Sequence, residues 1–105
     1  MYLKKGVSLK GLQPQMVVAL LMVDSVTGRD FTVTSGTEDA PNRIPDSLHP
    51  KGFALDIRVP KSDVWNGDHW LTPWGWREQM TKIFEDTEFD VVWYETHVHI
   101  EFDPK

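Results

Sequence analysis

Two short stretches of the sequence hold residues that could bind one metal ion together. Residues 47–56 carry a histidine and a carboxylate seven positions apart, His49 and Asp56. Residues 94–101 add two imidazoles and two carboxylates near the C-terminal end. Neutral imidazole and carboxylate oxygen are the ligands that Zn²⁺ accepts besides thiolate, and a catalytic zinc ion keeps three protein ligands and one position for water. We predict one zinc ion per chain, held by His49, Asp56 and His99.

Asp56 has an alternative interpretation when it is considered by itself. It lies in an apolar stretch, and burying an unpaired carboxylate there would cost several kcal/mol. A salt bridge with Arg43 or Arg58 would satisfy the charge without any metal. The histidine cluster nevertheless favours a metal site, because both stretches contain the residue types that zinc prefers.

The histidines also have simpler interpretations. His49 by itself would be a loop histidine, and the pair His97 and His99 would be a solvated face of a sheet. We predict that His69 is a surface or groove residue and not a ligand, because Asp68 is the one ligand-type residue near it. No Ser-His-Asp order is evident, so no serine nucleophile is predicted.

Composition narrows the class of protein. A chain of 105 residues predicts one domain over residues 1–105, and 40% hydrophobic with 26% charged residues is typical of a globular protein. The net charge of -5 and the lack of a basic run argue against a nucleic-acid partner. No cysteine is present, which excludes disulfides and thiolate metal sites.

The sequence also predicts no membrane span and no signal peptide. The longest apolar run, residues 16–23, is far shorter than the ~20 residues that cross a bilayer. Residues 1–5 are not followed by the apolar region and cleavage site of a secretory signal. We therefore expect synthesis in the cytoplasm.

The N-terminal third predicts an extended segment and then a helix. Residues 1–11 are expected to form an extended arm or a short edge strand. Residues 15–26 follow Pro14 without a helix breaker, and Gly28 can close the helix as its C-cap. A buried strand is the alternative, but twelve unbroken residues favour a helix. Apolar side chains surround it nearly completely, which predicts deep burial.

Two loops and a second helix are predicted further along. Residues 37–48 are polar and interrupted by prolines, so they predict a loop, and residues 61–72 predict another. Thr72 can N-cap a helix whose first residue is Pro73. An apolar stripe at helical spacing follows: Trp76, Met80, Ile83 and Phe84.

Alternating residues predict strands over 31–34, 53–59, 89–93 and 96–102, the last two being continuous or separated by a brief turn. Period two places Asp56 on the face opposite the apolar residues of its strand. If the last strand is continuous, a second set of ligand-type residues shares one face: Glu95, His97, His99 and Glu101. The fold class predicted is α+β, a small antiparallel sheet with helices on its apolar face and the zinc site on the other.

The motifs resemble those of a known family. Residues 47–56, S-L-H-P-K-G-F-A-L-D, resemble the S-x-H-x-x-G-x-A-x-D signature of the D-Ala-D-Ala metallopeptidases and the related hedgehog signalling domain. Residues 94–99, Y-E-T-H-V-H, resemble the family's second motif, a Glu followed by His-x-His. Residues 32–36 resemble the strand and turn before the first ligand. The opening, residues 4–16, and the ending, residues 97–104, resemble small phage and prophage members.

The resemblance covers nearly the whole chain and implies roles for individual residues. The zinc ligands would be His49, Asp56 and His99. Glu95 would be the general base, and His97 would stabilise the oxyanion. The implied fold is a small antiparallel sheet with helices packed on it.

Two departures from the family pattern concern the remaining site residues. The glutamate of carboxypeptidase members lies three positions before the last ligand, whereas Glu95 lies four before His99. Many members have an arginine soon after the Ser-Gly turn, where it is thought to hold substrate. Residues 37–39 occupy that place here, and Arg43 is the nearest candidate for substrate binding.

The function implied is a phage-encoded zinc peptidase, a carboxypeptidase or an endolysin-type endopeptidase, that cleaves peptidoglycan peptides containing D-amino acids through a zinc-activated water. Such a hydrolase would be a monomer that degrades the bacterial cell wall after release, or a virion component. The alternative is a non-enzymatic zinc-containing binding module or a virion structural part of the same fold. Glu95 discriminates between them, because a binding module needs no base.

Overall fold

The computed structural model describes residues 1–40 and 43–103, which contain seven strands and two helices. In chain order the elements are β1 (Tyr2–Leu3), α1 (Pro14–Thr27), β2 (Thr32–Ser35), β3 (Ala54–Arg58), β4 (Val64–Trp65), β5 (Trp70–Leu71), α2 (Pro73–Phe84), β6 (Phe89–Trp93) and β7 (His97–Phe102). Five strands form one sheet in the order β1-β2-β3-β7-β6, and β4 pairs with β5 separately. The predicted α+β class is confirmed.

The large sheet is mixed and not purely antiparallel. The pairs β2-β3, β3-β7 and β6-β7 are antiparallel as predicted, whereas β1 is parallel to β2. The prediction of an antiparallel sheet is therefore wrong at this edge. The reason is the connection, because α1 lies between β1 and β2 and a helical crossover returns the chain in the same direction.

Helix α1 has the predicted bounds within two residues, and Gly28 ends it with a φ of 65°. One face of the helix is buried in the core through Met16, Ala19, Val23 and Val26. The opposite face is exposed, including Val17, Val18 and Leu21, the last 65% exposed. The prediction of a deeply buried helix is therefore wrong, since α2 and the sheet cover α1 from one side only.

Helix α2 begins as the sequence predicts. Pro73 lies in its first turn, and the Thr72 hydroxyl accepts a hydrogen bond of 3.0 Å from the Gly75 N–H. The predicted stripe faces the core, with Trp76, Met80 and Phe84 buried. Such a cap is worth about 1 kcal/mol to the start of the helix.

The loop predictions are confirmed in part. Residues 37–40 and 43–48 form neither helix nor strand, whereas Pro41 and Asn42 of this predicted loop lie outside the described residues, as does Pro104 of the C-terminal motif. Residues 61–72 were predicted to be a loop, which is wrong because they contain the β4-β5 hairpin.

The last two strands are separated by a turn at residues 94–96, so the alternative of a brief turn is confirmed. Glu95 therefore lies in the turn and not on a strand, and the expectation that it shares a strand face with His97 and His99 does not apply.

The core lies between the helices and one face of the sheet. Central strands β3 and β7 contribute four fully buried side chains to it: Leu55, Ile57, Val98 and Ile100. Side chains alternate along a strand, so Asp56 and His99 lie on the opposite face, as predicted. Within the described part of the chain, neither helix combines the length and apolarity needed to cross a membrane.

Candidate metal centre

The candidate site is built on the pairing of β3 with β7. Asp56 and His99 lie directly opposite each other in the antiparallel register. The Nδ1 atom of His99 is 2.8 Å from Asp56 Oδ1. Two predicted ligands, 43 positions apart in the chain, are therefore brought together by the sheet itself.

His49 reaches the same carboxylate from a tight turn. The Gly52 N–H donates to the His49 carbonyl at 3.0 Å, and the His49 N–H donates to the Ser47 hydroxyl at 3.3 Å. Gly52 has a φ of 82°, and a Cβ there would collide with the Gly11 carbonyl oxygen, so the turn requires glycine. As a result His49 Nε2 lies 3.4 Å from Asp56 Oδ1.

A backbone carbonyl sets the orientation of the His49 ring. Nδ1 of His49 lies 3.0 Å from the carbonyl oxygen of Gly36, which can only accept a hydrogen bond. Nδ1 is therefore the nitrogen that donates to Gly36, and Nε2 is the ring nitrogen that faces Asp56. Gly36 approaches Ser8 so closely that a Cβ would collide with the Ser8 carbonyl oxygen. A histidine fixed by a carbonyl in this way is a common arrangement among metal ligands.

The three predicted ligands form a group that can hold a metal ion. One ligand atom from each of His49, Asp56 and His99 lies within 4.8 Å of the others. His49 is only 5% exposed, and the other two are half-buried. Two imidazole nitrogens and one carboxylate oxygen match the donors of catalytic zinc sites, which leave a further position open.

Asp56 and His99 shift each other's pKa. Burial by itself raises the pKa of Asp56, but hydrogen bonds and charge interactions with His49 and His99 outweigh burial and lower it far below its ordinary value. The hydrogen bond to Asp56 raises the pKa of His99, although burial opposes it and Glu101 adds to the rise. Asp56 is therefore an anion throughout the physiological range.

His97 is close to the group and on the same side of the sheet. Its Nε2 lies 3.8 Å from Asp56 Oδ2, and its Nδ1 lies 3.1 Å from the Thr96 hydroxyl. The ring stacks on Tyr94 with 4.7 Å between centroids, which limits its movement. His97, Glu95 and Asp56 all line one cleft of about 1010 Å³. Glu95 is exposed in the turn above it.

Arg43, the predicted substrate-binding residue, forms an ion pair of 2.8 Å with Glu38. The same guanidinium donates to the Ser35 hydroxyl at 2.8 Å, and its side chain is only 14% exposed. Glu38 also accepts from the N–H groups of Ser8 and Gly36. Burial by itself raises the pKa of Glu38, but these hydrogen bonds outweigh burial and lower the pKa below its ordinary value. Glu38 therefore stays charged. The observed role of Arg43 is to hold the turn that contains Gly36, and substrate binding stays a prediction.

Among the described residues, Asp56 forms no ion pair with an arginine, so the alternative of a salt bridge with Arg43 or Arg58 is not observed. The ion-pairing partners of Asp56 there are His49, His97 and His99. His69 lies apart from this group on an exposed hairpin, where its Nδ1 is 3.3 Å from Asp68.

Sequence reasoning missed the part played by Glu101. Its Oε1 atom lies 2.8 Å from His99 Nε2. A proton on Nε2 that is donated to Glu101 leaves Nδ1 free to act as the ligand, and such carboxylate-histidine pairs are common around zinc. Period two placed Glu101 on the face of His99, but it did not indicate this hydrogen bond.

We expect the Glu101→Ala variant to bind zinc about 10- to 100-fold more weakly than wild type, because His99 loses the partner that orients its ring. Glu101→Gln keeps an oxygen acceptor and should lose less. Competition with a chromogenic chelator measures both affinities. Glu88→Gln is a matched control, since Glu88 is an exposed carboxylate outside the site. Equal affinities for Glu101→Ala and wild type would contradict this role.

Comparison of the chain with protein-family models, curated proteins and solved structures found no match.

Proposed function

We propose that the protein is a zinc-dependent peptidase that cleaves bacterial cell-wall peptides containing D-amino acids. The observation that carries the proposal is the convergence of His49, Asp56 and His99 within 4.8 Å, with Asp56 also lining an open cleft. The resemblance of residues 47–56 and 94–99 to the D-Ala-D-Ala metallopeptidases supports the same reaction class. It is also the source of the proposed substrate.

The ligand residues and the cleft residues have different tasks in this proposal. His49, Asp56 and His99 would hold the zinc ion, which supplies Lewis acidity and activates a water molecule when bound. Glu95 would take a proton from the attacking water and pass it to the leaving amine. His97 would stabilise the negative charge that develops on the carbonyl oxygen of the substrate.

The position of Glu95 suits this role without a strand to hold it. It lies in the turn that leads directly into His97, and both line the cleft beside Asp56. A carboxylate that is exposed to solvent can deliver its proton to a leaving group in the cleft. A binding module would have no use for a base at this place.

The proposal is tested on purified peptidoglycan. Zinc-loaded protein should release fragments by hydrolysis of an amide bond, each cut leaving one new amine and one new carboxylate, and mass spectrometry of the fragments identifies the bond. His49→Ala should release none, since it removes a ligand and leaves the cleft residues in place. If wild-type protein with full zinc occupancy cuts no cell-wall peptide, the binding-module function replaces this one.

A further inference from the structure

The cleft beside the metal centre is rich in positive charge. Three of the residues that line its volume of about 1010 Å³ are the cations Lys4, Arg58 and Lys61. Two carboxylates, Asp56 and Glu95, also line it. His49 and His99 already contact Asp56. Glu95 is therefore the one other carboxylate that lines the cleft beside the three cations. This excess contrasts with the net charge of -5 for the whole chain.

The fold places these cations from three separate segments. Arg58 ends β3 two residues after Asp56, so both lie on the same face, and it is opposite His97 in the register. Lys4 directly follows β1, where its N–H donates to the Val33 carbonyl at 2.9 Å. Lys61 follows the proline that ends the β3 segment.

Within the described part of the chain, these cations have no acidic partner in an ion pair. Among the ion pairs within residues 1–40 and 43–103, none involves Lys4, Arg58 or Lys61. Arg43, in contrast, is committed to Glu38. The cationic groups that a ligand in the cleft would meet are therefore the three lining residues. Ammonium and guanidinium groups bind carboxylates through charge-assisted hydrogen bonds.

We propose that the cleft binds a carboxylate group of the substrate between Lys4, Arg58 and Lys61. The class of substrate is then an anionic peptide whose carboxylate lies close to the bond that is cut. The carboxylate is either the C-terminus of the peptide or an acidic side chain. The proposal rests on the proposed function for the reaction, but the binding site can be tested without any cleavage.

Binding of three small probes to zinc-loaded protein, followed by NMR titration, tests the site. N-acetyl-D-alanine carries a C-terminal carboxylate, N-acetyl-D-isoglutamine carries a side-chain carboxylate, and N-acetyl-D-alaninamide is neutral. We expect at least one anion to bind about tenfold more tightly than the neutral probe, and the tighter anion identifies the source of the carboxylate. Raising the salt concentration should weaken this preference, because exposed charges are screened.

A pair of double variants assigns the effect to the cleft. Lys4→Gln with Lys61→Gln should reduce the affinity for the preferred anion about tenfold. Lys5→Gln with Lys51→Gln is the matched control, because it removes the same charge from two exposed lysines that do not line the cleft. The control should bind within about twofold of wild type. Melting curves verify that both variants fold.

The outcomes separate this proposal from the proposed function. Equal binding of the neutral and anionic probes, or equal losses in the two double variants, would overturn the carboxylate site even if peptidoglycan is cut. Selective anion binding that depends on Lys4 and Lys61 would support the site even if no peptide is cut, and would then favour a binding module.

Discussion

Zinc added to the metal-free protein is expected to raise its melting temperature by roughly 10–20 °C. Free zinc at ~100 times the dissociation constant adds about 2.7 kcal/mol to the free energy of unfolding, and each kcal/mol shifts the melting temperature of a small domain by roughly 4–8 °C. The physical reason is that His49, Asp56 and His99 meet only when β3 and β7 have paired. Thermal unfolding with zinc and with excess chelator measures the shift.

Two histidine variants separate specific zinc binding from adventitious binding. His49→Ala removes one of three ligands and should lose most of the zinc-induced increase. His69→Ala removes an exposed histidine on the β4-β5 hairpin and should keep it. A full increase in the His49→Ala variant, or none in wild type with zinc bound, would contradict the predicted centre.

The zinc-induced rise in melting temperature should also depend on pH, and its direction follows from the histidine ligands. The raised pKa of His99 means that its protonated form stabilises the metal-free fold below the unfolded-state pKa of about 6.5, and this contribution is lost as the pH rises through the folded-state pKa. Zinc requires the neutral imidazole, so protons compete with it. The zinc-induced shift should therefore be larger at about pH 8 than at about pH 6. A larger shift at the lower pH would be inconsistent with histidine ligands.

Glu95→Gln is expected to lower the rate of peptide cleavage by at least ~100-fold, since proton transfer by a general base contributes typically 10²–10⁴-fold. The substitution keeps the size of the side chain and removes its basic carboxylate. Glu95 is exposed and is not a member of the metal-binding group, so zinc affinity and melting temperature should stay close to wild type. Cleavage rates on peptidoglycan fragments, compared at saturating zinc, measure the effect.

Glu88→Gln provides the comparison for this variant, because it removes another exposed carboxylate, one that lies outside the cleft. Its rate should match that of wild type. If Glu95→Gln also cleaves at the wild-type rate, Glu95 is not the base. Glu101 would then be examined next, although its contact with His99 favours a role in orienting that ligand.

Local patterns in the sequence predicted the parts of the fold that depend on local chemistry. Alternation along residues 53–59 placed Asp56 on the face opposite the core, because side-chain direction follows from strand geometry alone. The Thr72 cap and Pro73 marked the start of α2 for a similar reason. The grouping of His49 with Asp56 and His99 was predictable from residue type and motif together.

Features that depend on distant partners were not predictable in this way. The apolar surface of α1 extends around the helix, but it does not reveal that α2 and the sheet cover only one side of it. The parallel pairing of β1 depends on its contact with β2, which lies beyond α1 in the chain, and no local pattern in residues 1–11 indicates that partner. Strands of two residues, such as β4 and β5, are too short to show a period. The contact of Glu101 with His99 depends on the rotamer of the Glu101 side chain. Alternation along the strand predicts only the face of the sheet on which Glu101 lies.

The pairing of β3 with β7 also determines how a bound metal ion can affect the rates of folding and unfolding. Asp56 and His99 are 43 positions apart, so closing the chain between them costs entropy before any ion can be held by all three ligands. A metal ion that binds after this pairing cannot accelerate it. It lowers the free energy of the native state alone and therefore slows unfolding, because interactions absent from the folding transition state act on the unfolding rate. The residence time of the ion and the lifetime of the folded chain are linked through this one pair of strands.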